Sequence, residues 1–206
     1  IGGVRKDISN AKLAEMSRDL DSIRKEMEEL TNVFLRDDSV IHRTRNVGVL
    51  SRQDAYHLGA VGPTGRGSGV AIDLRKTGYA AYGALDFPVV TDSCGDCYSR
   101  CLVRCKELFT SVDIIQQAIA KIPDGPVDVK VTGAPNGEFF MRAEQPRGEL
   151  VHYLKGNGTK FLVRSRIRTP TLTNIPPLVK MLQGCDLADV PVIVLSIDPC
   201  ISCTER

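Results

Sequence analysis

Five glycines fall within eleven residues, from Gly59 through Gly62, Gly65 and Gly67 to Gly69. Glycine visits both signs of φ and loses the most conformational freedom on ordering, so a run this dense is expected to be neither helix nor strand. It interrupts a chain whose flanks are strongly helical. In residues 9–35, Leu13, Met16, Leu20, Ile23, Met27 and Leu30 recur at spacings of three and four, with Glu, Asp, Lys and Arg between them. Ser9 or Asn10 suits the start as a cap. Only about three heptads are present, which favours a helix packed in a bundle over a free coiled coil. A short helical stretch at 52–58 leads into the glycines. A second long helix is expected from Asp96 to Lys121, ending before Pro123-Asp124-Gly125.

Residues 71–93 carry Gly78, Gly83 and Pro88 and read as loop. Strand patterns follow at 127–131, 138–143, 149–154 and 160–166, the last two joined by the turn Gly156-Asn157-Gly158. Pro176 and Pro177 suit the first turn of a short helix reaching about Gln183. The expected fold class is α+β and predominantly helical, with long bundled helices and a small antiparallel sheet. Residues 1–206 form one unit, helical over 1–125 and carrying the sheet and a cysteine tail over 126–206.

Composition excludes more than it selects. Charged residues are 25% of the chain and net charge is +2, so there is no electrostatic case for nucleic acid. No run approaches the roughly 18 apolar residues of a membrane span. The longest, Val190 to Ile197, contains Pro191 and Ser196. No signal-peptide pattern opens the chain, and any membrane link is expected to run through partner subunits. The start, Ile1-Gly2-Gly3 without Met, reads as the second part of something longer.

The seven cysteines suit reduced thiols or metal ligands better than a disulfide framework. Cys97, Cys101 and Cys105 share one helical face but extend along about 12 Å of axis, too far to converge with Cys94 on one cluster. All four, and Cys185, are expected to be small core residues. Cys200 and Cys203 differ. Two thiols separated by two residues can face one metal, soft thiolates select nickel, iron, copper(I) or zinc, and Pro199 stiffens the approach. A zinc half-site or a free thiol pair fits the same spacing. Pro146-Arg147-Gly148 presents a guanidinium in a turn, with a glycine that permits close backbone approach. Thr171, after Pro170, could donate a hydroxyl or satisfy local backbone.

Several segments together carry a family resemblance. Asp198-Pro199-Cys200-Ile201-Ser202-Cys203-Thr204-Glu205-Arg206 resembles the mature end of a [NiFe]-hydrogenase large subunit, D-P-C-x-x-C-x-x-(His/Arg). Glu144-Gln145-Pro146-Arg147-Gly148-Glu149-Leu150-Val151-His152 resembles the family's E-A-P-R-G-x-L-x-H, with Gln145 in place of Ala. Residues 168–174 are similar to its V-P-(Ser/Thr)-x-x-N segment, with Thr169 for Val and Thr173 for the usual Trp. Residues 60–69 resemble a G-P-x-x-R-G-S-G loop shared by energy-converting hydrogenases and the quinone-site subunit of proton-pumping NADH dehydrogenase. Gly2 to Asp7, Gly95 to Arg100 and Leu102 to Arg104 belong to the same shared pattern, and Arg206 fits the energy-converting branch.

The resemblance implies a nickel–iron centre whose iron carries CO and cyanide, with Cys200 a terminal nickel ligand and Cys203 a bridging one. Arg147 would contact one cyanide, Pro170 and Thr171 the other, and His152 would stand behind the site. It implies reversible H2 cleavage by an assembly on the cytoplasmic side of the membrane. Its partners would be an iron–sulfur small subunit with a [4Fe–4S] cluster, membrane subunits, and a polypeptide carrying the amino-terminal C-x-x-C half. That half's cysteine pair and its R-G-x-E glutamate are absent from this sequence. The alternatives are a quinone- or sulfur-reducing relative without nickel, which normally lacks the tail cysteines, and a non-catalytic structural subunit.

Overall fold

A computed structural model describes residues 2–205; Ile1 and Arg206, and the expectations placed on them, lie outside the described residues. In chain order the helices begin with α1 (Asn10–Arg36), α2 (Asp38–Thr44), α3 (Arg52–His57), α4 (Gly62–Arg66) and α5 (Cys97–Lys121). The strands β1 (Asn136–Gln145), β2 (Gly148–Asn157) and β3 (Leu162–Arg168) follow. Four short helices close the chain: α6 (Pro170–Thr173), α7 (Ile175–Met181), α8 (Val190–Ser196) and α9 (Ile201–Thr204). The architecture is α+β, with one small antiparallel sheet ordered β1-β2-β3.

The long helices form where their caps and spacing place them. The Ser9 hydroxyl accepts from the Lys12 amide at 3.3 Å, and the Asp96 carboxylate accepts from the Ser99 amide at 2.7 Å. α1 and α5 run antiparallel, tied by Arg24 to Asp113 at 2.6 Å, Gln116 to Asp21 at 2.7 Å and the Tyr98 hydroxyl to the Leu35 carbonyl at 2.8 Å. Leu13 is buried, whereas Leu30 stays 70% and Val33 71% exposed. No helix of the described residues is long and apolar enough to cross a membrane.

Four expectations need correction. The glycine-dense segment is not wholly irregular, because Gly62–Arg66 closes one buried helical turn with Pro63 at its start. Pro63 supplies a helical φ without wasting a donor, so proline offsets the entropy that the glycines lose. Residues 127–131 form no strand of the sheet. They make a single bridge, Gly3 to Asp128, flanked by bonds from the Val4 amide to the Val127 carbonyl at 3.0 Å and from the Val129 amide to the Gly2 carbonyl at 2.8 Å. Residues 71–93 hold two 3₁₀ turns, Leu74–Thr77 and Tyr82–Ala84. Last, β2 runs on through Gly156 and Asn157 with an irregularity between Lys155 and Gly156, so the β2–β3 turn lies just beyond the expected one.

The core gathers Leu50, Ala55, Val70, Cys97, Leu178, Met181, Ile193 and Ile197. At roughly 1.5–3 kcal/mol for each large apolar side chain buried, this cluster supplies the main favourable contribution that holds α7 and α8 under α5. Two arginines are buried with it. Arg100 donates to the Gly95 and Gly48 carbonyls at 2.8 and 2.9 Å and to the Ser196 hydroxyl at 2.9 Å. Arg66 donates to Glu107 at 2.7 Å, to Glu144 at 2.8 Å and to the Ile72 carbonyl at 3.0 Å, joining α4, α5 and β1.

Removing one partner of a buried ion pair strands the others in a poor dielectric, at a cost of about 3–5 kcal/mol. Arg66→Met is therefore expected to lower stability by about that amount in urea titration. A loss under about 1 kcal/mol would show that the network does not hold these elements together.

Candidate functional site

The tail is built by short-range geometry. α8 ends at Ser196, and after Ile197 the backbone of Asp198 takes φ 54, a left-handed conformation that few non-glycine residues adopt. Pro199 follows, and Cys200 stands at the start of α9 with extended backbone. One helical turn then sets Cys203 three residues on, its amide donating to the Cys200 carbonyl at 3.1 Å. Residues three apart on a helical turn are neighbours on one side, so both thiols face the same direction.

α6 holds this turn from beneath. The Thr171 hydroxyl accepts from the Cys200 amide at 3.2 Å, and the Thr169 hydroxyl donates to the Cys203 carbonyl. Thr171 is 2% exposed and Pro170 is buried with it. The Thr171 hydroxyl thus anchors the tail backbone as an acceptor.

From the other side comes Arg147, in the tight turn between β1 and β2. Its Nε donates to the Asp198 carbonyl at 2.6 Å and its Nη2 to the Asp198 carboxylate at 3.2 Å. The turn can approach because two glycines meet back to back. A Cβ on Gly148 would lie 2.6 Å from the Gly62 nitrogen, and one on Gly62 would lie 2.4 Å from the Arg147 carbonyl oxygen. The glycine segment, the Pro-Arg-Gly turn and the cysteine tail are thus packed in sequence against one another.

The two thiols are electrostatically unlike. The Ser202 hydroxyl, 3.3 Å from the Cys200 sulfur, stabilises its thiolate first, followed by the Cys203 amide and thiol and the Arg147 charge. Together they hold Cys200 down to about 7. Cys203 is pushed up, chiefly because its thiol donates to Cys200, then by burial. The first proton of the pair is lost easily and the second with difficulty.

The other expected residues divide. Cys97 is buried and receives the Arg100 Nη2 at 3.2 Å, and Cys101 and Cys105 are half-buried with thiols raised by burial. Cys94 is exposed, not a core residue, because it sits in the loop ahead of α5. Cys185 is half-buried, packed against the core edge. His152 lies mid-strand, opposite Met141 and Ile167, with no bond to the tail among the described residues. Asp198 is the residue whose role the motif alone did not assign; its place before Pro199 was the available signal. Among the described residues no group of three or more His, Cys, Asp or Glu side chains could hold a metal. Cys200 and Cys203 set two soft donors near one guanidinium, a donor set that would fit part of a thiolate site.

A family profile described as "Respiratory-chain NADH dehydrogenase, 49 Kd subunit" matches residues 1–134 and 128–206. Among individual relatives, the chain is 42% identical over 209 residues to the carbon monoxide-induced hydrogenase of Rhodospirillum rubrum, covering 100% of this chain and 58% of the relative. It is 37% identical over 224 residues to the membrane-bound hydrogenase subunit alpha of Pyrococcus furiosus, covering 100% and 52%. It is also 37% identical over 205 residues to an NADH-quinone oxidoreductase subunit of Herpetosiphon aurantiacus, covering 96% and 55%. The chain thus spans little more than half the length of these relatives.

Two outcomes test this geometry. The thiolate is the species that alkylates, so iodoacetamide modification of metal-free Cys200 should accelerate through pH about 7 and level off above it, read by mass spectrometry of the tail peptide. A midpoint at the ordinary thiol value of about 8.5 would contradict the arrangement around Ser202 and Arg147. Gly148→Ala should cost ~2 kcal/mol or more in chemical denaturation, since φ +125 and the Gly62 backbone both oppose a Cβ.

Proposed function

The chain belongs to the family of the respiratory-chain NADH dehydrogenase 49 kDa subunit, and from that premise we propose that it is the carboxy-terminal part of a [NiFe]-hydrogenase large subunit in a membrane-bound, energy-converting complex. The observation that carries the reading is the pairing of Cys200 and Cys203 on one turn, with Arg147 bonded to Asp198 just ahead of it. The hydrogenase relatives support it, and the large-subunit fold is expected from family membership. The reaction is the reversible conversion of H2 to two protons and two electrons.

Cys200 and Cys203 would hold the nickel–iron centre through their thiolates. Pro170, Thr171 and Arg147 would contact the iron's diatomic ligands. When bound, the metal pair supplies a Lewis-acid site that polarises H2 for heterolytic cleavage. The chain's own part is to make that site anionic and oriented. The Ser202 hydroxyl and Arg147 favour the thiolate at Cys200. Thr171 anchors the Cys200 backbone, and Asp198 keeps the Arg147 guanidinium from turning away. Arg147 is well suited to this because its charge persists when shielded from water.

Two further thiolates would come from a polypeptide carrying the amino-terminal C-x-x-C half. Electrons would leave through an iron–sulfur small subunit with a [4Fe–4S] cluster. Membrane subunits would hold the assembly at the cytoplasmic face. A second reading, a quinone-reducing subunit without nickel, is favoured by the NADH-quinone oxidoreductase relative; the tail thiols favour the first.

Metal analysis of the purified complex separates them. Nickel in equal amount to this chain, with infrared bands from Fe–CO and Fe–CN, is the expected result, lost in Cys200→Ser and in Cys203→Ser. Zinc, or no metal, with intact quinone reduction would establish the second reading instead. Arg147→Lys should retain nickel yet lower hydrogen uptake by about 10²-fold.

A further inference from the structure

The small sheet meets water on both faces over most of its length. β1 is exposed from Asn136 to Arg142, and β3 is exposed at every residue but Ile167. A three-stranded sheet ordinarily depends on covering one apolar face. Strand alternation sorts the side chains here. Phe139, Met141, Leu154 and Ile167 share one face, joined by Val163, and Phe139 is 59% and Val163 57% exposed. Phe140, Tyr153, Lys155, Arg164, Arg166 and Arg168 share the other.

β3 is also an open edge. Its backbone pairs with β2 alone, and among the described residues nothing else bonds to it. The β1 edge is partly closed, since the Tyr79 hydroxyl accepts from the Glu144 amide at 2.9 Å. Along β3 the charge is one-sided. Glu149 is taken by Arg142 and Arg168, and Glu138 by Lys155 at 2.6 Å. Arg164 and Arg166 have no carboxylate partner among the described residues, and Arg164 stands directly opposite Lys155. Like charges so placed destabilise a sheet. Charge on an edge strand repels unwanted pairing, and here it repels a second copy, because an antiparallel β3–β3 contact centred on Ser165 sets Arg164 against Arg166. The same row attracts an acidic strand.

We propose that the outer edge of β3 receives a strand from a partner polypeptide in which Asp or Glu alternates with apolar residues. The carboxylates would lie beside Arg164 and Arg166, and the apolar side chains would extend the face of Phe139, Met141 and Val163. Main-chain bonds supply the pairing, and the cations select the sign of the partner. Such a contact uses neither tail thiol, so it forms with or without nickel.

The test is amide hydrogen exchange of the 206-residue chain with short acetylated peptides at about 1 mM. One peptide alternates Glu and Val, and the other has the same composition in two blocks. The alternating peptide should slow exchange within residues 162–168 by about tenfold, and the block peptide should leave it unchanged. Arg164→Glu combined with Arg166→Glu should lose this protection and gain it from a peptide alternating Lys and Val. Unaltered exchange in α5 shows that the variant is folded, and the comparison of the two peptides on the wild-type chain stands without it. No slowing by the alternating peptide overturns the proposal. So does equal slowing by both peptides, which marks ionic attraction without strand pairing. Slowing that needs no peptide and rises with the concentration of the chain assigns the edge to a second copy and also overturns it. Slowing by vesicles of anionic phospholipid, but by neither peptide, assigns the basic face to a membrane surface instead.

Discussion

Arg66 is the point on which the site hangs. It is almost wholly removed from water, and it is tolerable there only because Glu107 and Glu144 face it from two different elements. That requirement works in both directions. Each carboxylate needs the guanidinium as much as the guanidinium needs them, so α4, the middle of α5 and the end of β1 cannot drift apart separately. Burial still raises Glu144 above the usual carboxylate range, so Arg66 offsets only part of the desolvation. β1 ends one residue beyond Glu144, and the next two residues are Pro146 and Arg147. The placement of the guanidinium over the tail is therefore set by an ion network on the far side of the turn.

The tail and Arg147 are coupled by something more specific than proximity. Asp198 offers Arg147 both its carbonyl and its carboxylate, and it does so from a left-handed backbone that points the carbonyl toward the turn. The strained residue and the charged residue thus stabilise each other. The glycine contact between Gly62 and Gly148 leaves no room for a side chain between them, which fixes how deeply the turn sits. The chain thus holds two thiols and one guanidinium in fixed relation.

Much of this was legible in the sequence, and the failures have physical causes. α1 and α5 were readable because their spacing and caps repeat over many turns. α2, α6, α8 and α9 span at most seven residues, too short for a period to emerge, and their existence depends on what they pack against. Cys200 and Cys203 share one turn and Arg147 reaches Asp198 just ahead of it, because each motif encodes a local turn. Buried Arg66 and Arg100 were not legible as interior residues, because charge usually signals the surface. The strand expected at 127–131 failed because valines favour extended backbone without specifying a partner. Cys94 was misplaced by its nearness in sequence to three cysteines of a helix it does not join.

The tail is fastened by threonines rather than by packing. Thr169 and Thr171 grip its backbone, Thr204 closes on the Cys200 carbonyl at 2.9 Å, and α9 buries no side chain of its own. Hydrogen bonds of this kind contribute about 1 kcal/mol each and are readily exchanged for water. The last residues can therefore lift away and return while the core beneath them stays shut, an opening whose free energy is set by a few hydroxyls and is independent of global unfolding. Exposure of the inner faces of the two thiols is therefore governed by this local opening and not by the stability of the core.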